Sequence, residues 1–293
     1  MRDPIGKVPD GYAVHRVADS WLVIDRDRAS ELVRLRLADA RARDQLFDEA
    51  PLRGRGRAPA VVLAPGLRVV LRRYRHGGIF GSLTRSLLLG PERATAELRV
   101  CAAAETAGAP VPRVLCVAAW PVIGPFWSAL IGTEEITGAS DLLERASRST
   151  ATGNVALAQA VGAAVRALHD AGIEHRDLQL RNILVREQTG SIVIIDLDRA
   201  LFHGTNGVPV ARRAQNLGRL ARSAIKNRLW NRSIGPRERA AFAHGYTRGD
   251  RALRSELRRF AGRERCKLTA HRLSWPLRAA LSAQPAAAPP RPA

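Results

Sequence analysis

The 293-residue sequence predicts an α+β fold with two lobes, a small β-rich N-lobe followed by a mostly helical C-lobe. Two observations support this prediction. Between residues 60 and 131, two pairs of β-rich runs, each interrupted by turn residues, surround one helical segment. From residue 154 onward, apolar residues mostly recur every three or four positions, which is typical of helices. The predicted organisation has four parts: a partly helical N-terminal extension at 1–50, the N-lobe at 51–134, the C-lobe at 135–282 and a disordered Pro/Ala tail at 283–293.

Turn residues and helical spacing delimit the elements before residue 135. A helix of modest amphipathicity is expected at Ala29–Phe47. Ala60–Ala64 and Arg68–Tyr74 flank the turn pair Pro65-Gly66, so they are predicted to form a hairpin. The other elements predicted here are a helix at Pro91–Ala107 and a strand pair at Val114–Ala119 and Trp127–Ile131.

In the second half of the chain, one helix is predicted to lead into a short hairpin. Its apolar positions recur at helical spacing from Asn154, and Gly172 ends it. Two short apolar runs, Ile183–Val185 and Ile192–Ile195, are joined through a Gln-Thr-Gly turn and predict the hairpin. Basic helices are expected after it, at Ala211–Arg228 and Pro236–Tyr246.

The pattern most informative about function surrounds this hairpin. The run from His175 to Asn182 is HRDLQLRN, and Asp196 follows Asn182 by fourteen residues, at the end of the hairpin. Protein-kinase-like folds place a catalytic loop HRDLxxxN and a strand-end aspartate in this order. The sequence therefore predicts a protein-kinase-like phosphotransferase in which Asp177 accepts, or merely orients, the proton of the acceptor hydroxyl. His175 is expected to hold the loop backbone rather than to transfer protons.

Asn182 and Asp196 offer the hard oxygen ligands that Mg²⁺ prefers beside the phosphates of ATP. Asp196 follows the four β-branched residues 192–195, so it is expected to emerge from a buried strand at a fixed place. The alternative for Asp196 is a plain surface turn. Two interpretations stay open for Asp198, which can bind metal or pair with Arg199.

Two segments before residue 100 are candidates for ATP binding. Gly54-Arg55-Gly56 can form a flexible turn whose backbone N–H groups approach phosphates, although Gly-Arg repeats also occur in plain loops. In the third strand of such a lobe a lysine usually grips the phosphates and pairs with a helix glutamate. Here that strand carries Arg72, with Glu97 as its expected partner and Glu92 as second choice.

Charge and composition limit the partners and the compartment. The net charge is +20, and the segment from residue 212 to residue 272 contains eighteen Lys or Arg but only four acidic residues. Such a field attracts anionic lipid, membrane surfaces or nucleic acid, and the alternative is a solvated helical face. The first ten residues do not form a signal peptide, and no apolar run is long enough to span a membrane. Three widely spaced cysteines indicate neither a disulfide framework nor a zinc site.

Several motifs together resemble the lipopolysaccharide kinases of the Kdo and heptose kinase family, where Kdo is 3-deoxy-D-manno-octulosonic acid. Within that family the likeness is greatest to the kinases that act on Kdo. The similar segments lie between residues 54 and 226. They are GRG at 54–56, VLRRYRHGG at 70–78, GAPVP at 108–112, GIEHRDL at 172–178, NIL at 182–184, IDLDR at 195–199 and NLGRLARS at 216–223.

The resemblance implies ATP-dependent phosphorylation of the Kdo sugar of Kdo-lipid A, or of a related anionic glycolipid. It places the protein at the cytoplasmic face of the bacterial inner membrane, in peripheral contact with anionic lipid. Because Kdo carries a carboxylate and lipid A carries phosphates, a basic rim around the cleft is expected. Its predicted members are Arg75, His76, Arg222 and Lys226. Nucleic acid is not expected as a partner, and the oligomeric state stays open.

Other functions remain as alternatives. A heptose kinase of the lipopolysaccharide core would share the same motifs. Aminoglycoside or choline phosphotransferases also use an Asp, an Asn and a strand-end Asp, but their acceptor pockets are usually acidic, unlike this basic chain. A protein kinase is disfavoured because no Ala-Pro-Glu segment follows Asp196. The non-enzyme alternative is a kinase-like module that binds anionic membranes through its arginines.

Overall fold

A computed structural model describes residues 5–50, 52–53, 58–74, 87–148 and 155–260. Within these ranges the first half of the chain is built on one eight-stranded antiparallel sheet. Its strands in chain order are β1 (Tyr12–Val17), β2 (Ser20–Asp25), β3 (Leu52–Arg53), β4 (Ala58–Ala64), β5 (Leu67–Arg73), β6 (Leu88–Leu89), β7 (Val114–Ile123) and β8 (Phe126–Glu134). In space the order is β1-β2-β7-β8-β5-β4-β3, and β6 pairs with β8.

Helices cover both faces of the sheet. Successive residues of each strand point to opposite faces, so each strand supplies apolar side chains to both. Leu98 on the long helix α3 (Glu92–Thr106) packs with Val117 and other residues of one face. The opposite face buries Cys116 and Leu71 against Leu32, which lies on the short helix α1 (Ala29–Arg34). This double cover gives the sheet two apolar layers and holds α3 firmly against β7 and β8.

The region before residue 50 differs from the sequence-based expectation in two respects. The single helix expected at Ala29–Phe47 is wrong, because the chain forms α1 and a separate helix α2 (Ala40–Glu49). Arg36 has a left-handed backbone (φ 49°), which interrupts the first helix, and the Asp39 side chain caps the second by accepting from the N–H of Ala42 at 2.9 Å. In addition, β1 and β2 were not expected, and β2 pairs with β7 in the main sheet.

The second half of the chain is mostly helical, and the predicted α+β class is confirmed. Its helices are α4 (Leu142–Arg148), α5 (Val155–Asp170), α6 (Val210–Lys226), α7 (Pro236–Thr247) and α8 at 251–260. Its strands are β9 (Ala139–Asp141), β10 (Ile173–Glu174), β11 (Ile183–Arg186), β12 (Ile192–Ile194) and β13 (Leu201–Phe202). The strands form two small sheets, β12-β11-β9 and β10-β13.

Close packing of α5 on α7 sets the position of the loop that follows α5. Gly162 and Gly245 lie where these helices meet, and a Cβ atom added to either would lie 2.0–2.2 Å from a carbonyl oxygen of the other helix. Only glycine allows the two backbones to approach so closely. The helix α5 ends at Asp170, and β10 and the predicted catalytic loop follow directly.

The remaining predicted elements are confirmed with small changes of boundary. The strands at 114–119 and 127–131 extend to ten and nine residues as β7 and β8. The predicted hairpin after the catalytic loop is β11–β12, in which Ile183 pairs with Ile194. The turn at Pro65-Gly66 joins β4 to β5, and Gly66 has the positive φ (76°) that such a turn favours.

Candidate active site

The predicted catalytic loop is held to the end of β12 by a buried histidine. His175 is fully buried, and its Nδ1 accepts from the backbone N–H of Asp177 at 3.2 Å. Since Nδ1 is the acceptor, Nε2 carries the proton and donates to the carbonyl oxygen of Ile195 at 3.1 Å. Burial lowers the pKa of His175, so the ring is neutral at neutral pH. The ring therefore ties the residue before Asp196 to the loop that carries Asp177.

Asp177 lies exposed on this loop. Its Oδ2 accepts from the side-chain amide of Gln179 at 2.9 Å, and its backbone carbonyl accepts from Nδ2 of Asn182 at 2.9 Å. A second attachment comes from α6, where the Ser223 hydroxyl accepts from the backbone N–H of Leu180 at 3.2 Å. The carboxylate is thus accessible while the backbone around it is fixed on both sides.

Asn182 and Asp196 are brought together by the β11–β12 hairpin. The backbone N–H of Ile195 donates to the carbonyl oxygen of Asn182 at 2.9 Å, so Asp196 follows directly from a residue bonded to Asn182. The side-chain nitrogen of Asn182 donates to the carbonyl oxygen of Asp177, which fixes the amide group. The amide oxygen is the atom of this side chain that can bind a cation. Asp196 has a left-handed backbone (φ 64°), which for a residue other than glycine is uncommon and concentrates at functional sites.

Arg72 connects the main sheet to this hairpin. Its Nη2 donates to both oxygens of Glu97, at 2.6 and 2.7 Å, and lies 3.8 Å from Oδ1 of Asp196. Burial lowers the pKa of Arg72, but the charges of Glu97 and Asp196 outweigh this effect and leave the pKa above its usual value. Burial also raises the pKa of Glu97, although the nearby guanidinium opposes it. The contact between Arg72 and Glu97 expected from the sequence is present.

A second ion pair links α3 to the same strand-end segment. Arg93 donates to both carboxylate oxygens of Asp198, with Nε 2.9 Å from Oδ1 and Nη2 in contact with Oδ2. Both side chains are largely buried, with 24% and 16% of their surface exposed. Of the two open interpretations for Asp198, the one that pairs it with Arg199 is wrong, since α3 supplies its partner.

The structure places only some of the predicted site residues. Gly54, Arg55, Gly56, Arg75 and His76 lie outside the residues described, as does the predicted tail at 283–293. The predicted rim residues on α6 are in the described part, Arg222 half-buried and Lys226 exposed. Arg222 precedes Ser223, the residue that contacts the catalytic loop.

Sequence reasoning missed four residues of the site. They are Gln179, Ser223, Arg93 and Tyr74, whose hydroxyl lies 2.5 Å from Oε2 of Glu97. Gln179 lies inside the catalytic-loop pattern at a position that the pattern leaves variable. The other three act through contacts 23 to 105 residues apart in the chain, for which a single sequence carries no local signal.

An exposed carboxylate on a fixed loop, an adjacent Asn–Asp pair and an arginine reaching them from a β-sheet define a phosphotransferase of the kinase-like class. Comparison with known proteins identifies the group within that class. The chain belongs to the lipopolysaccharide kinase (Kdo/WaaP) family, whose model matches residues 40–246. It is therefore a kinase that uses ATP to phosphorylate a sugar hydroxyl.

Two relatives and one solved structure illustrate the similarity. A 3-deoxy-D-manno-octulosonic acid kinase of Vibrio vulnificus (strain YJ016) is 34% identical over 185 residues, covering 62% of this chain and 74% of the relative. One of Xanthomonas oryzae pv. oryzae (strain PXO99A) is 34% identical over 220 residues, covering 71% and 81%. The structure of WaaP in complex with acyl carrier protein superposes with a TM-score of 0.53 at 19% identity, covering 83% of this chain and 98% of WaaP. That likeness supports the kinase-like fold.

Proposed function

We propose that this protein transfers a phosphoryl group from ATP to a hydroxyl of the Kdo sugar on Kdo-lipid A. The observation that carries the proposal is the set of hydrogen bonds around Asp177. Its backbone is bonded to Asn182 and, through His175, to Ile195, the residue before Asp196. Relatives of the chain are named Kdo kinases. Three hydrogen bonds of 2.9–3.2 Å hold these groups in one arrangement. Such positioning is the main requirement of phosphoryl transfer, because its transition state is loose.

Asp177 is the proposed catalytic residue. Gln179 occupies its Oδ2, so Oδ1 is the oxygen assigned to the acceptor hydroxyl. That oxygen orients the hydroxyl toward the γ-phosphorus and takes its proton as the new O–P bond forms, while the bond from the γ-phosphorus to the bridging oxygen breaks and ADP leaves with that oxygen. The neutral imidazole of His175 fixes the Asp177 backbone and takes no part in proton transfer.

Arg72 is the proposed phosphate-binding residue of the sheet, and Glu97 holds it in place. The N–H groups of a planar guanidinium point in fixed directions, so they provide a more directional contact with phosphate than the ammonium of lysine. Gly54, Arg55 and Gly56 are assigned to the turn over the phosphates because they lie between β3 and β4, and β4 pairs with the strand that carries Arg72.

Asn182 and Asp196 are the proposed magnesium ligands. The residues fit the ion, since an amide oxygen and a carboxylate with 44% of its surface exposed are hard donors that leave room for water and phosphate. No cluster of three or more His, Cys, Asp or Glu side chains suited to a metal occurs in the described ranges, so the two residues would share the ion with ATP. Bound magnesium would neutralise phosphate charge during transfer.

The basic end of α6 is proposed to face the anionic acceptor. Arg222 precedes Ser223, which contacts the loop of Asp177, and Lys226 lies one helical turn after Arg222. The net charge of +20 adds a long-range attraction to lipid A phosphates. Arg75 and His76 complete the proposed rim. None of the helices in the described part of the chain is long and apolar enough to cross a membrane. The basic charge and the proposed Kdo-lipid A acceptor support a further part of the proposal, peripheral contact with anionic lipid at the cytoplasmic face of the inner membrane.

The direct test incubates the protein with ATP, magnesium and Kdo-lipid A and measures by mass spectrometry the addition of one phosphate. Asp177→Ala should abolish transfer, whereas Asp19→Ala, at an exposed turn between β1 and β2, should leave it unchanged. Absence of transfer to Kdo-lipid A by the wild-type protein would overturn the proposal. Transfer to a heptose-containing core acceptor instead would retain the kinase but identify the heptose alternative.

The rim is tested separately by binding to vesicles that contain anionic phospholipid. The double variant Arg222→Glu/Lys226→Glu should bind more weakly than the control Arg34→Glu/Arg41→Glu, whose exposed residues on α1 and α2 give the same change in net charge. Equal losses in both variants would show that only the overall charge matters. Unchanged binding by the α6 variant would contradict the assignment of the rim.

A further inference from the structure

Tyr74 follows β5 directly, and its side chain is fully buried beside the site. Its backbone N–H donates to the carbonyl oxygen of Ala129 at 3.0 Å, which fixes the residue on β8. The hydroxyl donates to Oε2 of Glu97 at 2.5 Å. The ring centroid lies 5.0 Å from Cζ of Arg72 and 5.4 Å from Cζ of Arg93, so the ring is close to both cross-lobe guanidinium groups.

The contacts of Glu97 explain why such a residue is needed. Glu97 engages Arg72 through one nitrogen only, Nη2, which donates to both carboxylate oxygens. This leaves the N–H groups of Nη1 and Nε as single donors for a phosphate, because both two-nitrogen forks of a guanidinium include Nη2. However, a guanidinium bonded through one nitrogen can rotate about that contact. Its orientation is fixed only if the Glu97 carboxylate is held in place and another group packs beside the plane of the guanidinium. Tyr74 supplies both restraints, through its hydroxyl on Oε2 and its ring near Arg72.

We propose that Tyr74 is a positioning residue for ATP, acting through Glu97 to orient Arg72 toward the phosphates. The inference rests on the assignment of Arg72 to ATP made above. It also explains the chemistry of this strand. A lysine presents a point charge whose orientation matters little, whereas the N–H groups of a planar guanidinium point in fixed directions and reach a phosphate well only in a fixed orientation. The tyrosine two residues after Arg72 provides that orientation.

The test is a double-mutant cycle between Tyr74→Phe and Glu97→Gln with steady-state kinetics. Loss of a hydrogen bond to a charged group corresponds to about a tenfold effect. Tyr74→Phe should therefore raise the KM for ATP about tenfold and change kcat by less than about twofold, because Asp177 is untouched. In the Glu97→Gln background the same substitution should change the KM by less than about twofold, because the carboxylate on which it acts is gone.

Tyr12→Phe is the matched control. Its hydroxyl is also buried and donates to the carbonyl oxygen of Val114 at 2.7 Å, in the same sheet but away from Glu97. This variant should keep the wild-type KM for ATP. The proposal is overturned if Tyr74→Phe leaves the KM unchanged, if its effect is equal in both backgrounds, or if Tyr12→Phe raises the KM as much. It is also overturned if Tyr74→Phe alone fails to fold, since the hydroxyl would then serve the core.

The assignment of Arg72 itself is checked with Arg72→Gln, which removes the charge, and a direct measurement of the dissociation constant for magnesium-ATP. If this variant binds ATP as tightly as the wild type, the role of Arg72 is refuted and the inference about Tyr74 falls with it. If Arg72→Gln weakens ATP binding while the cycle shows no coupling, Arg72 keeps its role and only the inference about Tyr74 is lost.

Discussion

Gly162→Ala should destabilise the protein, although the same change in an open helix would stabilise it. In a helix without close neighbours, replacing glycine with alanine gains about 0.5–1 kcal/mol. Here the added Cβ would lie 2.2 Å from the carbonyl oxygen of Phe242 and 2.9 Å from the backbone nitrogen of Tyr246. These neighbours are backbone atoms, so α5 and α7 must separate by about 1 Å. Overpacking of this kind costs about 1–3 kcal/mol. After the gain in helix propensity is subtracted, the net loss is about 1 kcal/mol at the middle of these ranges and about 2.5 kcal/mol at most.

The free energy of unfolding measured in urea checks the sign of this effect. Because α5 leads through β10 into the catalytic loop, kcat should fall as well. Gly245→Ala should act similarly, since its Cβ would lie 2.0 Å from the carbonyl oxygen of Gln159. The double variant should lose less stability than the sum of the single losses, because one separation of the helices relieves both contacts. A Gly162→Ala protein more stable than the wild type would refute the close approach of the two helices.

Three further outcomes are expected. Asp196→Asn should fold normally, because asparagine tolerates the left-handed backbone, but lose about 100-fold in kcat and need more magnesium; an unchanged magnesium dependence would contradict its role as a ligand. Burial lowers the pKa of His169 to about 3. Below about pH 6.5 the unfolded chain therefore binds a proton at this histidine that the folded protein does not bind. Its contribution to stability is complete above that pH and declines toward pH 3, by about 2 kcal/mol at pH 5; this decline should be absent in His169→Gln, as urea unfolding at pH 7 and pH 5 would show. Arg93→Gln should lose about 1–2 kcal/mol of unfolding free energy by leaving Asp198 without its partner, whereas Arg99→Gln, which gives up only bonds of 3.3–3.4 Å to carbonyl oxygens, should lose less.

The elements predicted most accurately from the sequence are those defined by short-range patterns. The hairpin that carries Asp196 is delimited by two apolar runs and a turn, all within fourteen residues, and the structure forms it with the expected pairing. The helix α5 has a regular apolar spacing and a glycine stop. Asp177 and Asn182 were identified because the motif HRDLxxxN is local and each of its positions has a chemical reason.

Features that depend on distant parts of the chain could not be predicted in this way. Arg93 and Asp198 are separated by 105 residues, and each has an equally plausible nearer partner in the sequence. The strands β1 and β2 contain charged residues among the apolar ones. They pair with each other, and β2 joins the sheet by pairing with β7, about 95 residues later. The local sequence does not distinguish one helix from two in this region. In the structure the chain turns at Arg36, and this turn accompanies the burial of Leu37 against the sheet.

The two ion pairs between the lobes also bear on turnover. Arg72 near Asp196 and Arg93 on Asp198 both join the sheet side of the cleft to its helical side, so the cleft cannot open widely without separating them. Such partly buried pairs are screened only weakly by salt, so opening of the cleft should depend little on ionic strength. The same salt weakens the attraction between the proposed basic rim and an anionic lipid. Ionic strength should therefore affect the encounter with lipid more than the opening of the cleft.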